Sequence, residues 1–564
     1  MRRGGDRGRS TLPLVRADLR RGRHARRESP GLGLRDRFDA VVLLALALLS
    51  LWVLALMLGR AGLGELTWAG VDGLHVSDQM QYLAWIRDAG QGALIPNRYR
   101  LEPTQASFLH PGFLLSGGLS ALGVPAWLAY LAWKPVAVVA LFLAVRAYVG
   151  VSLAGLGRRC ALLLALFSVP VAAFVADLLP GTSVGELYLD GLAFDFWPGS
   201  WLWGYSFTAL AVAALVAALL SYARDRRDGT IRPWTPLLGL VCSWLQPWQG
   251  ATLLIVVVAA EGALALARGP AGTRERPALR LALVTVAATA APLVYYAALS
   301  RYDPSWAIAR EGNLAPEPAP LWPLAATLGP LALPALLAYR RRAPGFHAVA
   351  LRLWVPVAVG VYLLIERLEV GTFPLHAVQG LSIPLAVLAC EGVATLRPAS
   401  APARRGALVA GVAVGLLLVP AGAWRLVEAA RSVRNAPAPS ILAPGEPFFL
   451  QPGERAALRR LEQGPVAGVL TPGYLGQLVP GLTGRNTWVG VVSWTPDFAA
   501  RSALAETLFN GRMAAAEAQA FVRSTGAGLL LQDCLHPQPL EPLLRPLIAS
   551  VRRFGCATVY ELGR

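Results

Sequence analysis

Apolar runs of about twenty residues, separated by short polar stretches with clustered arginines, recur from position 41 to about 427. A helix rises ~1.5 Å per residue, so runs of this length cross the ~30 Å hydrocarbon layer of a bilayer. The pattern predicts about eleven spanning helices: 41–59, 127–149, 161–179, 201–222, a pair within 236–267, 281–299, 321–339, 346–365, 375–395 and 407–427. The stretch 110–123 is too short to span and predicts a helix lying on the outer surface. The pair within 236–267 follows from parity. Arginine clusters flank the segment on both sides, so an even number of crossings is required. Its apolar run breaks at Gln246-Pro247-Trp248-Gln249-Gly250, which predicts a short helix up, a turn and a longer helix down. Irregular backbone at that depth is tolerated only inside protein or beside a water-filled cavity.

Beyond about 441 the periodicity changes. Strands are predicted at 466–471, 486–491, 528–532 and 557–562, and helices at 454–462, 497–510, 514–524 and 540–551. The alternation describes a small α/β domain of about 120 residues. The plan is a basic tail (1–37), a membrane domain (38–430) with a long first outer loop (60–125), and a C-terminal domain (431–564). The C-terminal domain has no GxGxxG, P-loop or GxSxG motif, so nucleotide binding and serine-hydrolase chemistry are poorly supported there.

Composition reinforces the membrane reading. Hydrophobic residues make up 55% and charged residues 15%, with a mean hydropathy of +0.49. A soluble domain carries about a quarter charged residues, so a cytosolic enzyme and a secreted disulfide scaffold are excluded. The net charge of +18 has the look of a nucleic-acid signal until it is mapped. Twelve arginines stand against four acids in 1–37, and thirteen against ten in 428–564. Much of the rest lies in short loops. This is the positive-inside pattern, with the N-terminus cytoplasmic, the C-terminal domain outside and no nucleic-acid partner. The Arg- and Gly-rich tail lacks an apolar face and reads as disordered. Arginine is abundant and lysine occurs only at Lys134, a composition typical of a GC-rich bacterial genome. Cys160, Cys242 and Cys390 lie in apolar helices, whereas Cys534 and Cys556 lie in the outer domain and are candidates for one disulfide.

Candidate chemistry gathers in the first outer loop, which holds Asp72, His75, Asp78, Tyr82, Arg98, Arg100 and His110. Positions 79–89 have helical spacing with Asp78 at the N-cap, and capping is the plain alternative to a chemical role for that residue. Lys134 sits inside the second span, where a charge is costly; it pairs with a lipid phosphate or a carboxylate, or else snorkels to the interface. Gln246 and Gln249 flank Trp248 at the helix break, and His376 and Gln379 share a face near another outer helix end. Both pairs are candidates for lining a sugar cavity, with packing between helices as the competing account. Glu186, Asp190 and Asp195, with Trp197 and Trp201, read as an interfacial belt and not as a metal site.

An acid opening a juxtamembrane helix, an aromatic four residues on (Asp78, Tyr82), and His110-Pro111 opening a second interfacial helix form a recognisable order. It resembles the GT-C class of polyprenyl-phosphate-sugar glycosyltransferases, such as protein O-mannosyltransferases, aminoarabinose transferases and arabinosyltransferases. The resemblance covers 41–150 and extends loosely over the remaining spans. Thr483-Gly484-Arg485 and Trp494-Thr495-Pro496-Asp497 are similar to the outer domains of bacterial membrane proteins of this type. Many family members carry two adjacent acids where this chain has Asp78-Gln79.

The resemblance implies an all-α polytopic GT-C-like membrane domain with a C-terminal extracytoplasmic α/β domain, set in a bacterial plasma membrane. It implies an inverting glycosyltransferase that moves a sugar from a polyprenyl-phosphate carrier to an envelope glycan, lipid or protein. In that reading Asp78 is the base. Arg98 and Arg100 are forked donors to the phosphate, His75 and His110 assist or hold a metal, and Tyr82 lies on the substrate side. A divalent metal is the one cofactor such chemistry would admit. Two other readings stay open: a non-catalytic scaffold or lipid-handling protein of the same fold, and a secondary transporter using the broken helix. Inverted repeats would favour transport, and none is seen.

Overall fold

The computed structural model describes residues 36–171, 174, 184–267, 277–313, 320–341, 344–368, 374–396, 403–436, 447–464 and 466–563. Nearly all of the basic tail and the second half of the 161–179 span fall outside them. Among the described residues eight helices are long and apolar enough to cross a membrane: Arg37–Ala61, Ala126–Ser152, Ser206–Asp228, Pro247–Leu266, Leu279–Tyr302, Leu321–Arg340, Gly345–Leu364 and Leu408–Arg434. Two shorter apolar helices, Trp234–Leu245 and Ser382–Thr395, and the Gly155–Phe167 helix occupy the remaining expected positions. Large side chains such as Tyr148, Tyr222, Trp354 and Tyr362 fill the space between the spans.

The expected break is present. Trp234–Leu245 ends at Gln246, which is extended, and Pro247 opens the next helix, where its missing N–H costs nothing. The two helices fold back on each other as a hairpin. Gly250 meets Ser243 so closely that a Cβ there would stand 2.4 Å from the Ser243 hydroxyl. The turn faces the first outer loop: Trp244 Nε1 donates to the Leu109 carbonyl at 3.2 Å.

The Pro111–Ala121 helix is eleven residues long and packs on Val76–Gln91. In the C-terminal region, β3 (Val469–Leu470), β4 (Leu529–Gln532), β5 (Ile548–Phe554) and β6 (Ala557–Leu562) form a sheet in the order β3-β4-β6-β5. The β3–β4 pair is parallel and the other two pairs are antiparallel. Helices Pro452–Gln463, Phe498–Phe509 and Ala515–Thr525 lie where their apolar spacing predicts.

The predicted 540–551 helix is an error. Only Glu541–Leu544 is α-helical, a short 3-10 turn over Arg545–Leu547 that contains Pro546 ends it, and β5 pairs with β6 instead. Residues 486–491 make a single bridge, Thr487 to Val469, and not a strand. Cys534 and Cys556 are disulfide-bonded, tying the end of β4 to the β5–β6 turn.

The C-terminal region does not stand apart from the membrane domain. Thr67–Trp68 (β1) pairs antiparallel with Phe449–Leu450 (β2), Arg87 bridges to Glu462 at 2.9 Å, and Asn97 Nδ2 donates to the Trp494 carbonyl at 2.9 Å. Val53, Met57, Met80 and Ile86 share one buried apolar cluster with Leu458, Leu475 and Val479. The first outer loop therefore folds as one body with the domain that follows the last span.

Candidate functional site

The Val76–Gln91 helix begins three residues earlier than its spacing suggests, with His75 at the N-cap. Asp78 is thus inside the first turn and not the cap. A carboxylate there is favoured by the helix dipole. Its Oδ2 accepts a 2.7 Å hydrogen bond from the Tyr205 hydroxyl. Tyr205 directly precedes the Ser206–Asp228 helix, after Gly204, whose φ of +98° turns the chain from the Trp-rich outer segment into the span. Burial first, then the Asp78 charge, pushes the Tyr205 hydroxyl well above the usual tyrosine range, so it stays protonated and donates. Tyr82, one turn along from Asp78, packs against Phe113, Tyr130 and Tyr205, and His75 packs edge-on to Phe194 at 5.0 Å.

A second carboxylate closes the other side. Asp195, at the end of the Val184–Phe196 helix, is buried; its Oδ1 accepts from Gln379 Nε2 at 2.7 Å and its Oδ2 meets His376 Nδ1 at 3.0 Å. Gln246 Nε2 reaches Gln379 Oε1 at 3.4 Å, and Gln249 Nε2 donates to the His376 carbonyl at 3.2 Å. The turn of the broken helix is thereby joined to the Pro374–Val378 helical turn. Burial lowers the pKa of His376, but the Asp195 carboxylate, its hydrogen bond and the charge of Asp78 outweigh burial and raise it above the usual histidine value. Asp78 and His376 stay half-exposed while Asp195, Gln249 and Gln379 are buried. A half-exposed polar face is thus backed by a buried polar layer.

Of the residues singled out in the sequence, Asp78, His75, Tyr82, His376, Gln379, Gln246 and Gln249 fall into this cluster. Five others do not. Arg98 pairs with Asp88 at 2.6 Å and donates to Asn486 Oδ1, and Arg100 pairs with Glu102 at 3.1 Å. Both tie the outer loop to itself and to the C-terminal domain. His110 caps the Pro111–Ala121 helix and lies between Phe113 and Phe207. Burial holds its pKa down to about 4, so it is neutral at pH 7. Lys134 is 2.6 Å from Asp72 and also donates to the carbonyls of Ser50 and Leu202. It is paired with a carboxylate and does not snorkel. Trp248 packs on the apolar core of the spans.

Tyr205 was not among the residues singled out, and Asp195 was read only as part of an interfacial belt. The interfacial-belt reading of Asp195 is overturned by its burial against His376 and Gln379.

Gln79 explains the departure from two adjacent acids. Its side chain turns inward, is buried, and accepts from the Asp72 backbone N–H. A carboxylate at 79 would sit in the core beside Asp72. Among the described residues no three His, Cys, Asp or Glu side chains are grouped to hold a metal ion. Asp195 already has both oxygens engaged. The donor set of the described residues does not fit a divalent cation.

No known family profile matches the sequence, and no curated protein sequence matches it. Solved structures do match. The mycobacterial arabinofuranosyltransferase AftD aligns over 94% of this chain and 42% of its own, with a TM-score of 0.50 and 16% identity. The chain has the GT-C fold. An oligosaccharyltransferase AglB of Archaeoglobus fulgidus, solved with an inhibitory peptide and a dolichol-phosphate, aligns over 88% of this chain and 69% of its own, with a TM-score of 0.48 and 10% identity. The chain spans less than half the length of the arabinofuranosyltransferase, and at such identities the likeness bears on the fold alone.

Proposed function

We propose that the protein is a membrane glycosyltransferase that moves a sugar from a polyprenyl-phosphate carrier to a cell-envelope acceptor on the outer face of a bacterial plasma membrane. The observation that carries this reading is the half-exposed Asp78 carboxylate, hydrogen-bonded by Tyr205 and facing the His376–Asp195 pair. Asp78 takes the proton of the acceptor hydroxyl as that oxygen attacks the anomeric carbon. The carbon–oxygen bond to the phosphate breaks, the phosphate leaves with the electron pair, and the configuration inverts. The His376 imidazolium, oriented by Asp195, supplies the positive charge that the departing phosphate needs. This takes over the part first expected of Arg98 and Arg100, which face the C-terminal domain. Gln246 and Gln249 hold the Pro374–Val378 turn in register behind His376.

The test is purified protein incubated with a panel of radiolabelled polyprenyl-phosphate sugars and envelope extract. Transfer of label from at least one donor, with release of polyprenyl phosphate, is the expected result. Donor binding without release from any member of the panel would shift the reading to a non-catalytic scaffold.

A further inference from the structure

An apolar groove of about 460 Å³ lies between the first and last spans, on the side of the membrane that carries the C-terminal domain. Trp52 forms its floor, and Leu426, Val427 and Ala430 line its wall; Arg431 and Arg434 stand at its open end. Trp52 Nε1 donates to the Leu426 carbonyl at 3.1 Å, which fixes the indole across the gap. From Leu426 to Arg434 the helix climbs ~12 Å, so the groove grades from apolar to cationic along the helix axis.

The arginines there differ from their neighbour. Arg425 is buried and neutralised by Asp190 and Glu428. Arg431 and Arg434 are exposed and make no ion pair with a carboxylate among the described residues; Arg431 lies over the Trp424 ring at 5.0 Å. Arg60, at the end of the first span, donates to the Val433 carbonyl and lies over Phe449, again without an acid partner among the described residues. Arg431 and Arg434 thus stand at the end of an apolar slot, with Arg60 beside Val433, and none of the three pairs with a carboxylate among the described residues. The same last helix turns Leu408, Val412, Leu416 and Val419 outward.

We infer that the groove binds an anionic phospholipid of the surrounding bilayer, one acyl chain against Trp52 and the phosphodiester at Arg431 and Arg434. A resident phospholipid is favoured over the sugar donor by position. The core-facing side of the first span meets the candidate site's surroundings, with Leu49 accepting from Trp203 and Ser50 from Lys134, whereas Trp52 opens onto the opposite, lipid-facing flank.

The experiment is lipid binding to the intact purified protein by native mass spectrometry, with phosphatidylglycerol, phosphatidylcholine and a polyprenyl phosphate as probes. Phosphatidylglycerol is expected to be retained over phosphatidylcholine, and Arg431→Gln with Arg434→Gln to weaken it about thirtyfold. The paired Arg431→Lys and Arg434→Lys substitutions should keep most of the binding, which separates lost charge from lost fold. Equal retention of both phospholipids, unchanged phosphatidylglycerol binding in the Gln pair, or displacement by the polyprenyl phosphate would overturn the assignment.

Discussion

Asp78 and His376 approach from different elements, and each is held by a polar partner from a third. Tyr205 donates a hydrogen bond to Asp78, and His376 Nδ1 is hydrogen-bonded to Asp195. Replacing Tyr205 by Phe removes one hydrogen bond to a charged acceptor, worth ~1.5 kcal/mol; kcat is expected to fall about tenfold with little change in KM. The raised pKa of His376 predicts activity that declines on the alkaline side as the imidazolium deprotonates. In His376→Gln that limb should vanish from the pH–rate profile, together with most of the activity; a retained limb would assign it to another group. Much of this was legible in the sequence. Asp78, His376, Gln379, Gln246 and Gln249 stand out because polar groups at apolar helix ends are costly and need a purpose. Asp195 and Tyr205 were not legible: both lie in an aromatic stretch with the composition of a membrane interface, and only tertiary packing turns them inward. Arg98 and Arg100 misled for the opposite reason, because an outer-loop arginine does not announce its partner in sequence.

Among the elements, helix positions follow from length and hydropathy, and the broken hairpin follows from charge parity, because both constraints come from the bilayer. β5 does not. Its residues carry an acceptable helical spacing, and the pairing that overrides it is with β6, across the Gly555 turn. Lys134 illustrates energetics at this scale. Its bond to Asp72 joins the second span to the first outer loop, with both side chains buried. Lys134→Met should destabilise the protein by ~3–5 kcal/mol, because it strands a buried carboxylate. Adding Asp72→Leu should restore most of that loss. Thermal melts of the two single variants and the double variant check this, and additive single effects would mean that the pair is not coupled.

Across the whole molecule, the first outer loop is covered by a domain some 370 residues later in the chain, through β1–β2, Arg87–Glu462 and a shared apolar cluster. The stability of that domain therefore bears on the geometry around Asp78. Within it, His536 is held between Asp533 at 2.6 Å and Glu506 at 2.8 Å. Burial lowers its pKa, but the two carboxylates outweigh burial and raise it to about 9. A folded-state pKa above the usual 6.5 means that this contribution is complete below about pH 6.5 and is lost as pH rises through about 9. The melting temperature should fall across that window in the wild type and stay flatter in His536→Gln.

The central claim rests on Asp78 as a base, and Asp78→Asn tests it most directly. Asp78 is not the helix cap, and an asparagine there can still accept the Tyr205 hydrogen bond. Sugar transfer and a thermal melt should be measured on the same preparation. The account predicts an unchanged melt and transfer reduced ~10²–10⁴-fold. Near-normal transfer by Asp78→Asn would contradict it.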